Sequence, residues 1–380
     1  MTARSRTLCI LAIAMTALSG TLHAASEPVV NTDWVWLRQA SVETLEAADV
    51  LHDSPRYGLI MALNYIEVDV TKAAGLLDRA AARTQPGTDE ARLAAILKCS
   101  FAELLGTTLS ADLCDERGVA IELIEHPLPA TIAQVHFGIW LATNGQYTRA
   151  FQANRLAEKL ALRAGYSELA ATAQNNQGVD YLIRGLPVQA MNKFELAIQH
   201  LRESGSTEQE SFLILLTSNI ASAHIELGEF ESANELLQSA INSELYDRNN
   251  PVNLIDETIL ARAALALGRP QQGYDRLSAV LENVGPLGSS GMHAYAHSVI
   301  GDLQIALGNT EAGLASFLRA REHGQRSGDP LQVNKVDVQF AEALLGLDRF
   351  EEASKTIESS IAALTEREPS MILARALDLR

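Results

Sequence analysis

The sequence is short of cysteine, of aromatics, of positive charge and of long apolar runs, and each shortage excludes something. Three cysteines in 380 residues cannot define a disulfide framework. Aromatics make up 5% of the chain, too few for base-stacking platforms along a single strand. Thirty Lys and Arg against 47 Asp and Glu leave a formal charge of -17. Such a surface repels phosphate backbones and anionic lipid, so nucleic acid and membrane surfaces are excluded as partners. The acidity keeps a helical rod soluble, or it offers a docking surface to a basic partner. No stretch after the first residues is long and apolar enough to span a membrane, and no Pro/Gly/Ser-rich linker divides the chain into domains.

The N-terminus is the exception to this blandness. Arg4 and Arg6 precede the apolar run Leu8-Cys9-Ile10-Leu11-Ala12-Ile13-Ala14-Met15, and Leu22-His23-Ala24 precedes Ala25-Ser26-Glu27-Pro28. A basic start, a short apolar core and small residues at a cleavage point read as a secretory signal, cut after Ala24. Residues 1–24 are then a signal peptide, and a mature protein that has lost Arg4 and Arg6 carries a charge of -19. No cysteine lies at the cleavage point to take a lipid. The expected location is beyond the inner membrane, in the periplasm. Cys99 and Cys114 remain after processing, and export permits them to pair. Cys99 occupies a buried small-residue slot, however, and Cys114 an outward one, which argues against the bond.

The length is explained by a repeat. Gly106, Gly145, Gly185, Gly228, Gly268, Gly308 and Asp348 are separated by 39, 40, 43, 40, 40 and 40 residues. Five residues after each stands a small one: Ala111, Ala150, Ala190, Ala233, Gly273, Gly313 and Ala353. Gly118, Ala157, Ala197, Ala240, Val280, Ala320 and Ser360 stand twelve after. Cys99, Gly138, Gly178, Ala221, Ala261, Gly301 and Ala341 stand seven before. A Gly or Asp at the corner can take the positive φ that ends one helix and turns the chain back. Small residues on either side let two antiparallel helices approach. Phe137, Ile220, Leu260, Ile300 and Phe340, one position before the small preceding column, are apolar. Phe194, Leu237, Leu277, Phe317 and Ile357, nine after the corner, are placed to fill the seam to the next hairpin. Pro187 and Pro270 fit first helical turns, and Pro251 and Pro330 open helices behind the N-caps Asn250 and Asp329.

These columns resemble the tetratricopeptide repeat. The likeness is best from Asn175-Asn176-Gln177-Gly178-Val179-Asp180-Tyr181 through Gly185, with Ala190, Phe194 and Ala197 after it, and the corner Leu227-Gly228-Glu229-Phe230 recurs as Leu347-Asp348-Arg349-Phe350. The pitch is longer than the family's common 34 residues and is similar to that of kinesin light chains and several bacterial regulators. The resemblance implies an all-α, right-handed superhelical solenoid of antiparallel hairpins. The expected layout is an N-terminal segment and capping helix (25–52), degenerate hairpins (53–125, with one around Val68), the repeat array (126–365) and a terminal helix (366–380). Lys98 and Asp115 stand in the degenerate stretch where apolar residues are expected.

In such a superhelix the first helix of each hairpin lines the concave face, its exposed residues lying six, nine and ten before the corner. That rule selects His136 and Ile139, then Asn175, Asn176 and Val179, then Ser218, Asn219 and Ser222. It goes on to Thr258 and Arg262, Ser298 and Asp302, and Gln339 and Glu342. Asn176 and Asn219 are equivalent, and in long-helix relatives such asparagines resemble a ladder that holds an extended peptide by its backbone. The alternative is that they brace neighbouring repeats, and Ile259 and Val299 interrupt the ladder. The face lacks the paired Lys/Arg residues with which chaperone-binding relatives clamp a C-terminal carboxylate.

Catalytic patterns are absent: no phosphate loop, nucleophile elbow or His-Glu-x-x-His occurs. His293 and His297, four apart, share one helix face, but Asp302 does not continue it as a third ligand, and the pair reads as two exposed histidines near a helix start. His224 takes the slot of Tyr181 and reads as a packing residue. The expected protein is therefore not an enzyme, binds no cofactor or metal, and takes a protein or peptide as partner; its oligomeric state is open. The exported start, the Ala-rich repeat and the apolar Met371-Ile372-Leu373 at the end also resemble periplasmic sensor regions of bacterial membrane-bound diguanylate cyclases. On that alternative the chain is the ligand-sensing part of a longer signalling protein.

Overall fold

A computed structural model describes residues 33–39, 42–47, 52–66, 69–102, 109–204, 210–242, 254–285, 289–327 and 330–380. The signal peptide, the corner at Gly106, Val68 and the caps Asn250 and Asp329 lie outside the described residues. Within them the chain is all-α. Two short helices, α1 (Trp34–Gln39) and α2 (Val42–Glu46), precede the pair α3 (Pro55–Tyr65) and α4 (Val70–Arg83). Next come α5 (Asp89–Phe101), α6 (Ala111–Val119) and a 3-10 turn at Ala120–Leu123. The regular hairpins follow: α7 (Pro127–Thr143) with α8 (Tyr147–Ala164), α9 (Ser167–Ile183) with α10 (Pro187–Ser204), and α11 (Glu210–Leu227) with α12 (Phe230–Ile241). The last are α13 (Leu254–Ala266) with α14 (Pro270–Val284), α15 (Ser290–Ala306) with α16 (Thr310–Ser327), and α17 (Pro330–Gly346) with α18 (Phe350–Thr365), closed by α19 (Met371–Leu379). Among the described residues no helix is long and apolar enough to cross a membrane.

Every described corner behaves as its residue requires. Gly145, Gly185, Gly228, Gly268 and Gly308 have φ between 73 and 83°, and Asp348 has φ 59°. At each, the amide after the corner donates five residues back, as in Leu186 N to Tyr181 O and Arg349 N to Leu344 O, both 2.9 Å. This is the Schellman closure, which satisfies carbonyls that a helix end would otherwise leave bare. Apart from Ala111, which is exposed, and Ala240 and Val280, which are half-buried, the small columns are buried because backbones meet there. A Cβ added at Gly301 would lie 2.7 Å from the Phe317 ring, and one at Gly313 would lie 2.8 Å from the Gly301 carbonyl. Phe194, Leu237, Leu277, Phe317 and Ile357 are all buried, and Phe317 stacks on Phe340 of the next hairpin at 5.3 Å.

The described residues form two compact units. One holds those up to Gln177, with Lys193–Leu216; the other holds Gly178–Asn192 and Thr217–Arg380. In the first unit two expectations are corrected. Cys114 is fully buried, not outward, because α6 is short and lies side-on to α5. It is bonded to Cys99, with Cα atoms 5.8 Å apart. Lys98 and Asp115 tolerate their slots by pairing outward, with Asp78 and Arg149 respectively, each at 2.8 Å. In the second unit the apolar face of α19 is partly satisfied within the chain. Ile372 and Ala376 are buried where α19 packs on α17 and α18, Met371 approaches Gly185, and Leu377 remains exposed.

Candidate functional site

The first-helix residues selected by spacing divide into two groups. Those of the N-terminal unit are covered. His136 on α7 is fully buried, edge-on to Phe101 at 5.2 Å and 3.1 Å from Ser100 Oγ through Nδ1. The helix α1 packs across α3 and α7, sinking Trp34, Leu37 and the Arg38 guanidinium, whose Nη1 donates to Asn64 Oδ1 at 3.4 Å. Burial first, and the nearby Arg38 charge second, push the His136 imidazole down to about 3, so it is neutral. Asn175 and Asn176 are also buried. Asn175 donates to Asn176 Oδ1, and Asn176 donates to Asn154 Oδ1 of α8 at 3.4 Å, the bracing geometry rather than an open ladder. Ile139 is core.

In the C-terminal unit the same helix face is polar and half-open. Ser218, Thr258 and Ser298 lie buried: Ser218 donates to Asp256, while Thr258 and Ser298 bond backbone carbonyls of their own helices. Val179 is core. The remaining positions are partly exposed. Ser222 bonds the Ser218 carbonyl, and Asn219 lies beside it on α11. Arg262 pairs with Glu226 of the preceding hairpin at 3.2 Å, and Gln339 donates to Asp302 at 2.5 Å. Glu342 takes a two-pronged bond from Arg375 at 2.6 and 2.7 Å. Burial is the main cause that pushes the Asp302 carboxyl up to about 6; Glu342 adds to it, and Gln339, Arg262 and Arg375 act the other way. The position six before the corner thus reads Ser222, Arg262, Asp302, Glu342 in successive repeats, and the last three reach adjoining helices by hydrogen bonds or ion pairs.

Spacing also carries a polar column that the rule of six, nine and ten passes over. Eleven before the corner stand Gln134, Gln174, Thr217, Glu257, His297 and Asp337. Three of its occupants find complementary partners on second helices. Gln174 bonds Glu158 at 2.8 Å and His200 at 2.9 Å, Glu257 pairs with Arg276, and Asp337 with Arg321 at 2.9 Å. At His297 the partners are other imidazoles. His293 is buried, contrary to the exposed pair expected from sequence, because both rings point at α16, where His323 meets them. Burial, chiefly, lowers His297 to about 4 and His323 to about 3. His224 is half-buried and pairs at 2.6 Å with Glu229, the N-cap of α12 in its own hairpin.

No family model matches the chain. No curated protein matches it either. Solved structures do, and what they share with the chain is its fold, a helical solenoid of tetratricopeptide-like hairpins. The chain is similar to a Rap protein complexed with competence and sporulation factor (TM-score 0.61, 12% identity, 87% of this chain and 89% of that one). It is similar also to NprR in complex with its cognate peptide NprX (TM-score 0.59, 12% identity, 80% and 87%) and to the apo form of the quorum sensor NprR from B. thuringiensis (TM-score 0.52, 14% identity, 83% and 99%). At these identities the likeness is one of fold.

Proposed function

We propose that this protein is an exported, non-catalytic tetratricopeptide-type scaffold that binds an extended peptide or a protein segment on the first-helix face of its C-terminal unit. The observation that carries this reading is the partly exposed row Ser222, Arg262, Asp302 and Glu342. Four successive hairpins present polar groups of both signs at one repeating position, which suits a chain laid across them. The N-terminal part of the same face is covered by α1 and is not the docking surface. Two of the structural neighbours were solved with a cognate peptide or a factor bound, which supports the reading by analogy of fold. A bonded Cys99–Cys114 pair supports export, since such bonds persist in oxidising compartments. Selection of a displayed peptide library on the mature chain tests the proposal. Peptides should be enriched, and Arg262→Ala with Asp302→Ala should weaken the best of them at least tenfold while helicity is kept. No enrichment, or affinity unchanged in that double variant, rejects it. The sensor alternative, in which a spanning helix and a cyclase domain follow the repeats, is tested by the reading frame beyond Arg380: a stop codon removes it.

A further inference from the structure

We propose that His293, His297 and His323 form a binding site for a divalent first-row transition metal of the zinc class. The site lies inside one hairpin, between the start of α15 and the end of α16. His293 and His297 occupy one stripe of α15 that continues to Gly301, whose missing side chain brings α16 close. His323 completes the set from the facing helix, and one ring nitrogen of each residue lies within 4.8 Å of the other two. Ring centroids are 5.0 Å (His293–His323), 5.3 Å (His297–His323) and 6.5 Å (His293–His297) apart. Around a tetrahedral ion with metal–nitrogen bonds of about 2.0–2.1 Å the donors stand about 3.4 Å apart. Small rotations about the side-chain bonds of three imidazoles close that gap without moving the helices.

Two further observations separate this cluster from ordinary packing. The equivalent slot in neighbouring repeats pairs unlike groups, amide with carboxylate or imidazole, and carboxylate with guanidinium. Here three groups of one kind converge, each an imidazole with one ring nitrogen turned toward the other two. The buried Nδ1 of His323, moreover, has no hydrogen-bond partner among the described residues, and a buried polar atom in that state calls for a ligand. Nitrogen donors without a carboxylate select zinc, copper, nickel or cobalt over magnesium and calcium. Arg319 and Arg326 lie near the rings and act against a cation, so the expected affinity is weaker than that of a closed structural zinc site. Three protein ligands leave a fourth position for water or for a donor from a bound partner.

The test uses the mature full-length chain purified without a histidine tag and stripped with chelator. Titrated with zinc chloride in a calorimeter, it should bind one equivalent. His293→Ala, His297→Ala and His323→Ala should each weaken binding at least tenfold, and His200→Ala, beside Gln174 on α10, should not. Cobalt(II) should give a visible absorption band in the wild type that His323→Ala abolishes. Because a truncated ring leaves a hole, His323→Gln serves as a second variant: zinc should raise the melting temperature of the wild type and leave that of His323→Gln unmoved. Absence of zinc binding, a smaller loss than tenfold in any of the three variants, or an equal thermal shift in His323→Gln overturns the proposal.

Discussion

The N-terminal and C-terminal units share one repeat chemistry and use it in opposite ways. In the first, the first-helix face is spent on stability: α1 lies over α3 and α7, His136 and Arg38 are buried, and Cys99 is bonded to Cys114. In the second, α19 meets the face at Glu342 through Arg375, and Arg262, Asp302 and Glu342 stay half-open, each paired with a neighbour. Corners and small columns are fixed by backbone approach, so both units keep them. The slots six and eleven before the corner touch side chains only, and these are where the units diverge.

The comparison breaks most visibly at α1. Trp34 is a buried residue of that helix, and Trp34→Ala should cost about 3–5 kcal/mol by the usual penalty for emptying a large core site. Hydrogen exchange should then quicken in α3 and α7 and stay unchanged in α13 to α18. Equal loosening of both sets would mean that the units do not respond separately. Next in size is the disulfide. Closing a separation of 15 residues restrains the unfolded chain, so Cys99→Ser with Cys114→Ser should lower unfolding free energy by about 3 kcal/mol in urea titrations. The loss should be confined to protection in α5 to α8.

How much of this was legible beforehand follows from the same distinction. Gly145 to Gly308 and Asp348 could be read as corners because positive φ restricts the residue type, and Gly301 and Ala261 as helix contacts because a larger side chain has no room. The buried state of His136 could not, since it depends on α1, about a hundred positions away and joined through no repeat rule. Cys114 was misplaced for a related reason: α6 is shorter than the helices from which its outward register was inferred. The approach of His323 to His293 and His297 leaves no mark along one helix, because the third ring arrives across the hairpin. The column of Gln174, Glu257, His297 and Asp337 was available as a signal, being polar positions recurring at the repeat interval inside otherwise apolar helices.

The two units should also answer acid with opposite signs. His136 is neutral in the folded chain down to about pH 3, while an unfolded histidine takes a proton near 6.5. Between those values the unfolded state binds more protons, so this group's contribution is intact above 6.5 and is lost as pH falls, by about 2 kcal/mol at pH 5. His136→Leu should flatten that limb. Asp302 has its folded value raised to about 6 from an ordinary 3.8, so the folded state binds more protons in that window and its ionisation costs stability as pH rises. Asp302→Asn keeps the acceptor for Gln339 and should stabilise the chain by about 1–2 kcal/mol at pH 7, discounted for its partial exposure. The gain should vanish toward pH 4. A gain that persists there would place its origin outside the ionisation.

The smallest effect sharpens what the units have in common. Asp348 is the one non-glycine corner with positive φ among the described residues, and it makes the same Schellman bonds as the glycines. An L side chain in that conformation is held against its preference, although aspartate tolerates it better than most. Asp348→Gly relieves this, and the extra freedom of glycine in the unfolded chain offsets part of the relief. The expected gain is about 0.5 kcal/mol in urea titrations. Gly308→Asp, at the equivalent corner one hairpin earlier, should lose a similar amount. If instead Gly308→Asp costs several times more than Asp348→Gly returns, the corners are not interchangeable, and the last hairpin has been tuned around its aspartate, with Arg349 gripping Glu352 at 2.6 and 2.7 Å just beyond it.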